Sequence, residues 1–355
     1  MDSPSRLTLH AIIANDPLAL GLRRWLHPIA LAAAGLFLGT LYTIILPRFA
    51  GVPATVSPGD WPTFVVMLVL VPLILGWYAW QPAAIHNLYQ VLLSRVTPTA
   101  GGAGRPVASL LILHRSRLGA WLALVVTVLI TAALAARLMP SSGWTVGAAA
   151  VIITRLFIRF ITIYTLLMFL VRQLTVTVGI NRIFRRAKVK LTPLHPDRAG
   201  GLRMMGNFAL GSAGLVMVVG SLLSLQYVDA RLGGPPLGPE FLVEVLVYLV
   251  GGPAVFFLPL LQAHRQMQVA RTSLLSEISN EFDQLYQDLK ARLSRMEDPA
   301  EAMVQLEALE EFYEVAADTP VWPFSVGMLR RFSGIIALPI LMPAIVDTII
   351  NLMVH

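Results

Sequence analysis

The sequence predicts an all-α, polytopic membrane protein. It has seven transmembrane helices, the N-terminus inside and the C-terminus outside, plus a cytoplasmic helical hairpin. Three observations carry this reading. Hydrophobic residues make up 56% of the chain and charged residues 13%, against roughly 25% charged in soluble domains. Mean hydropathy is +0.70, and the apolar residues come in uninterrupted blocks of the roughly 20 residues that a helix needs to cross hydrocarbon. Basic residues concentrate in alternate loops between those blocks. An outer-membrane barrel is excluded because its strands would alternate apolar and polar. The absence of cysteine excludes disulfides, thiolate metal sites, iron–sulfur clusters and thiol nucleophiles.

Residues 1–27 form a cytoplasmic or interfacial segment, in which Leu7 to Leu22 mixes apolar residues with His10, Asn15 and Asp16. It is expected to lie as a helix on the inner leaflet. Residues 28–263 hold the first six spans, near 28–46, 62–80, 117–139, 145–171, 207–228 and 240–263. The first is too long for a cleavable signal core and reads as a retained anchor. Pro47 ends it, Trp61-Pro62 opens the second, and Pro140 closes the third. Gly233-Gly234-Pro235-Pro236 separates the fifth from the sixth, since no helix continues through such a run. The seventh span occupies 326–353, within a final segment of 326–355.

Orientation follows from the loops. The N-terminal segment carries three arginines, the connection after the second span four, and the connection after the fourth eight basic residues from Arg172 to Arg203. The opposite side carries three: Arg48, Arg137 and Arg231. Lys and Arg are retained on the cytoplasmic side, so the N-terminus is inside. The expected location is a bacterial inner membrane. The net charge of +7 is then mostly an orientation signal. Arg185-Arg186-Ala187-Lys188-Val189-Lys190 is placed to meet anionic lipid headgroups rather than nucleic acid.

Residues 264–325 are the long stretch outside the membrane. From Arg265 to Arg331 there are seven basic and twelve acidic residues. Leu274, Ile278, Phe282, Leu285, Leu289, Leu293 and Met296 recur at helical spacing, and so do Ala302, Leu306, Leu309, Tyr313 and Ala316. Asp298-Pro299-Ala300-Glu301 starts the second helix. The two make a hairpin whose stripes either pack on each other or meet a second subunit.

No catalytic motif is present, so an enzyme is not expected, and neither is a cofactor or a resident metal. The histidines are scattered without ligand spacing and read as solvated interfacial groups. Four ionisable residues lie within spans, where charge is expensive and usually functional: Arg155 and Arg159 in the fourth, Glu244 in the sixth, Asp347 in the seventh. At about 1.5 Å per residue the acids sit roughly 10–12 Å outward of the midplane, within reach of an upward-snorkelling Arg155. They are expected to form either a buried ion-pair network or, with Asn351, the charged lining of a pathway. Gly251, Gly252 and Pro253 interrupt the sixth span, and Pro339 and Pro343 the seventh. Broken helices in hydrocarbon tend to line cavities, because their freed carbonyls need partners.

Leu194-His195-Pro196-Asp197-Arg198-Ala199-Gly200-Gly201-Leu202 is the most distinctive string. His195, Asp197, Arg198, Gly200 and Gly201 read either as a joint before the fifth span or as a site at the cytoplasmic mouth. With Pro320-Val321-Trp322-Pro323-Phe324, this string resembles those of an uncharacterised family of bacterial multi-pass membrane proteins, over roughly residues 190–345. That resemblance implies no activity. In topology alone the chain is similar to the insect chemoreceptor channels, which share seven spans, these termini and a long cytoplasmic helical extension before the last span. This similarity implies a homo-oligomeric ion channel, with the last helix lining the pore, Asp347 and Asn351 facing its outer part, inorganic ions as the permeating species and the hairpin joining subunits. The alternatives are a secondary transporter with a path between the sixth and seventh helices, or a membrane sensor that signals to a partner through the hairpin.

Overall fold

The computed structural model describes residues 9–23, 26–49, 61–98, 110, 113–114, 116–138, 146–189, 197, 199, 201–231, 236–295 and 298–354. Two short helices, α1 (Leu9–Ile13) and α2 (Pro17–Gly21), come first. The long helices follow as α3 (Pro28–Phe49), α4 (Trp61–Ser94), α5 (Leu118–Leu138), α6 (Val146–Arg186), α7 (Arg203–Arg231), α8 (Pro239–Ser294), α9 (Ala300–Ala317) and α10 (Val326–Val354). Seven of them, all but α9, are long and apolar enough to cross a membrane. This is the architecture of a multi-pass membrane protein. One small departure from an all-helical chain is an antiparallel pair, β1 (Val96–Pro98) on β2 (Ala187–Val189), with Thr97 opposite Lys188. It ties the ends of α4 and α6.

Helices α4 and α7 form the centre, with α3 against α4, α5 against α6, and both α8 and α10 against α7. About half of the apolar stretch of α7 is covered by other helices. The outer faces of α5 and α8 keep Trp121, Leu129, Leu242 and Val250 exposed, as lipid-facing helices do. Contacts along the bundle sort its two ends. Gly76 approaches the Pro28 carbonyl and His264 bonds the Val321 carbonyl at 2.8 Å, so the N-terminal segment and the start of the α8–α9 arm share one end, here called basal. Arg231 meets Asp347 at the distal end. Helix α8 runs for 56 residues, about 84 Å at 1.5 Å per residue, so more than half of it projects beyond a 30 Å core.

The helices stay continuous through their prolines by two devices. In α3 and α4 a π turn precedes the proline: Leu41–Ile45 before Pro47, and Val66–Leu70 before Pro72. A widened turn makes room for the ring. At three other prolines the carbonyl four residues earlier, freed by the ring, is taken by a side chain. Arg172 Nη1 donates to the Tyr78 carbonyl freed by Pro82 (3.0 Å). Gln173 Nε2 donates to the Val255 carbonyl freed by Pro259 (3.0 Å). Ser224 Oγ donates to the Pro339 carbonyl freed by Pro343. The carbonyls freed by Pro259 in the sixth span and by Pro343 in the seventh are therefore bonded by side chains of α6 and α7. Gly251, Gly252 and Pro253 lie inside unbroken helix, and Gly252 lets α8 approach Val216 of α7 and Ile336 of α10.

Small residues set the closest crossings. Gly35 and Gly39 of α3 are one turn apart, and a Cβ at either would strike the backbone of Pro72 or Met67. This spacing lets two helix backbones touch. On α7, Gly211 and Gly214 receive the rings of Trp80 and Trp77, and Trp77 Nε1 donates to the Gly211 carbonyl at 2.8 Å. A Gly39→Ala substitution has only backbone to push against and should destabilise the protein by about 1–3 kcal/mol. Gly251→Ala meets nothing within 4 Å and should be neutral or stabilising by up to about 1 kcal/mol. Thermal unfolding of both variants in the same detergent checks the contrast.

Candidate functional site

The most completely built polar site is at the basal end, where α1 and α2 enter the bundle. Asp16-Pro17 is a helix start: Asp16 caps α2 by accepting from the N–H groups of Leu18 (3.1 Å) and Ala19 (3.2 Å), and Pro17 opens the first turn. The same carboxylate accepts from Tyr78 Oη (2.6 Å), Tyr164 Oη (3.1 Å) and Arg172 Nη2 (2.6 Å). Five donors surround it, and Asp16 and Arg172 are 0% and 1% exposed. The Arg172 guanidinium also lies over the Tyr78 ring, 4.4 Å from its centroid. Its Nε alone has no partner among the described residues.

The arrangement is a latch rather than a reaction centre. Every lone pair region of the carboxylate is occupied, and the groups around it are phenols, a guanidinium and backbone. Its effect is to join the N-terminal segment to α4 and α6 at once. In place of the one expected helix, the segment forms the two short helices α1 and α2, packed on the bundle. Ile12, Ile13 and Ala19 are buried against the bundle, because a capped Asp16 can be neutralised only by following Arg172 inside. Arg172, read from sequence as one of the loop charges that set orientation, is a core residue.

The intramembrane charges do not form the cluster that their depths suggest. Asp347 is held by α7: Tyr227 Oη donates to it at 2.8 Å and Arg231 Nε at 3.0 Å. Arg231 thus takes the place expected of Arg155. Glu244 points outward from α8, exposed and without a partner among the described residues. Arg155 and Arg159 are half-buried on α6, close to each other and to Tyr42 of α3, with no acidic partner among the described residues. The reason is helix order: α3 and α5 flank this part of α6, whereas Asp347 sits across α7. Asn351 lies in the last turns of α10, where only the backbone is described.

The two distinctive strings meet. Asp197 accepts from the N–H groups of Ala199 (3.0 Å), Gly201 (3.0 Å) and Arg203 (3.3 Å), which caps the start of α7. Gly201 takes φ 92°, a left-handed conformation that glycine adopts without strain. His195, Arg198 and Gly200 lie outside the described residues. One turn into α7, Gly206 leaves room for the Pro323 carbonyl, Phe324 and Met328. Trp322 stacks on His264 at 3.8 Å, and Phe324 packs against Phe256, which stacks on Phe332 at 4.1 Å. The strings therefore build one joint, where α7, α8 and the entry to α10 lock together. The joint reading expects Asp197 to hold neighbouring arginine side chains; the bonds seen here come from backbone N–H groups.

His114 departs from the solvated histidines expected. It is buried, edge-on to Tyr89, with a ring nitrogen 3.3 Å from the Tyr89 hydroxyl. Burial, and then the Arg172 charge, push it down to about 4. No group of three His, Asp or Glu among the described residues is placed to hold a metal ion. No protein-family model, curated protein or solved structure matches the chain. The geometry therefore carries the functional argument by itself.

Two predictions follow the chemistry of this end. Arg172→Met strands a buried carboxylate and should cost about 3–5 kcal/mol. Asp16→Asn with Arg172→Met should cost less than the sum of the two single changes, as a double-mutant cycle in detergent unfolding would show. The native state keeps His114 neutral until pH falls to about 4, whereas the unfolded chain binds that proton near 6.5. Stability is thus full above about 6.5 and declines as pH falls from there to about 4, by at most about 1.4 kcal/mol per pH unit. His114→Gln should flatten this slope in unfolding measured at pH 7, 6 and 5.

Proposed function

We propose that the protein is a homo-oligomeric ion channel of a bacterial inner membrane. In this reading the N-terminus is cytoplasmic, α10 lines the pore and the α8–α9 arm joins subunits. The observation that carries the proposal is the coverage of α10. Only 11% of its apolar stretch is buried within the protomer, the lowest share of the seven spans. Its open face presents Leu338, Leu341, Met342 and Ile345, which share one side of a helix.

The arm supports the assembly. Helix α9 lies against α8 with Ile278, Ala302 and Ala316 of the stripes buried, while Phe282, Leu293 and Tyr313 stay exposed. On the side of α9 away from that contact, Val304 and Phe312 stay exposed. Beyond the hydrocarbon such a face calls for a protein partner, and a second copy of the chain supplies the same surface.

A transport path inside one protomer has less support, because the carbonyls freed by Pro259 and Pro343 are already bonded by Gln173 and Ser224. Asp347 reads as a fastener of α10 to α7 rather than as a ring of free carboxylates, since Arg231 offsets its charge. The resting pore would then be closed by apolar side chains that exclude water. A sensor that uses the open side of the arm for another protein is the second reading, favoured by the same exposed Val304 and Phe312.

Subunit counting in nanodiscs and bilayer recording test the proposal together. A symmetric ring is expected, and Val304→Glu with Phe312→Glu should reduce it to smaller species. Leu341→Asn should raise resting conductance several-fold by wetting the constriction. A monomer, or a ring in which Leu341→Asn conducts no better than the parent, overturns the channel.

A further inference from the structure

We infer that the groove between the N-terminal segment and the start of α5 binds one anionic phospholipid, with its phosphate on Arg117 and an acyl chain along Leu20, Trp121 and Leu124. The inference is independent of ion conduction. The groove has a volume of about 230 Å³, with Asn15, Pro17 and Leu20 on one wall and Arg117, Trp121 and Leu124 on the other. Asn15 Nδ2 closes its floor by donating to the Ser116 carbonyl at 3.2 Å.

Arg117 immediately precedes the apolar helix α5, and its carbonyl accepts the first helical bond, from the Trp121 N–H at 3.0 Å. It therefore stands where hydrocarbon gives way to headgroups. It is exposed and has no acidic partner among the described residues. A guanidinium offers a planar fork that fits phosphate, and the free N–H groups at the start of α5 favour the same charge. No acidic side chain lines the groove. Below Arg117 the wall continues into the hydrocarbon through Trp121, Leu122, Val125 and Leu129, all exposed. A soluble anion would leave that apolar wall unused, whereas a lipid occupies both halves.

The opposite wall is the segment that Asp16 secures to Arg172. A bound lipid would lie against Pro17 and Leu20 and press that segment onto the bundle. Anionic lipid should therefore raise the unfolding temperature of the full chain.

The test uses the full-length protein in nanodiscs of phosphatidylcholine that contain brominated phosphatidylglycerol or, at the same fraction, brominated phosphatidylcholine. Trp121 emission is taken as the difference between the parent and Trp121→Phe. At least twofold stronger quenching by the brominated phosphatidylglycerol is expected, and Arg117→Gln should abolish that excess. Arg117→Gln should unfold at the parent temperature in pure phosphatidylcholine, which shows that it folds. Equal quenching by the two lipids marks an ordinary annular contact and overturns the site. So does an excess that survives Arg117→Gln, or one that millimolar inorganic phosphate removes, since the latter would make this a site for soluble anions.

Discussion

One guanidinium holds the basal half of this molecule together. Arg172 neutralises Asp16, bonds the carbonyl that Pro82 frees on Tyr78, and covers the Tyr78 ring. Each of these groups would be costly alone, because hydrocarbon offers no substitute partner. Together they make the N-terminal segment, α4 and α6 a single unit. The phenols of Tyr78 and Tyr164 complete the shell around Asp16, so the charge pair is also a hydrogen-bonded network, the condition under which buried ions are tolerated.

The same constraint explains the prolines. A bundle with so many of them within its spans could have been a set of hinges around water. Instead Gln173 and Ser224 reach from neighbouring helices to the freed carbonyls, and π turns absorb the rings in α3 and α4. On the outside, among the described residues, stand the open face of α10, the exposed Val304 and Phe312 of α9, and Arg117 at the rim of a groove.

The two joints at opposite ends give that surface a frame. At the basal end Asp197 and Gly201 start α7 while Trp322 and Phe324 seat the entry to α10. At the distal end Tyr227 and Arg231 grip Asp347. Helix α10 is thus pinned to α7 at both ends, and Ser224 bonds it between them. Held along one side and open along the other, α10 has a defined face, which is the face the proposed channel would turn toward its symmetry mates.

Much was legible from residue order, since hydrophobicity and helix-start chemistry act locally. The seven apolar blocks, the helical stretch after the sixth and the turn chemistry of the Asp197 to Gly201 run all follow from composition and spacing. Asp16-Pro17 likewise carries a visible helix-start signal. Partner choice was not legible. Asp347 meets Arg231 rather than Arg155, and Arg172 is a core residue rather than a loop charge, because helix neighbours are set by small-residue contacts such as Gly39 on Met67 and Gly214 on Trp77. Depth in the membrane can be counted along one helix. Which helix stands beside it depends on packing among all of them, and only the tertiary structure decides that.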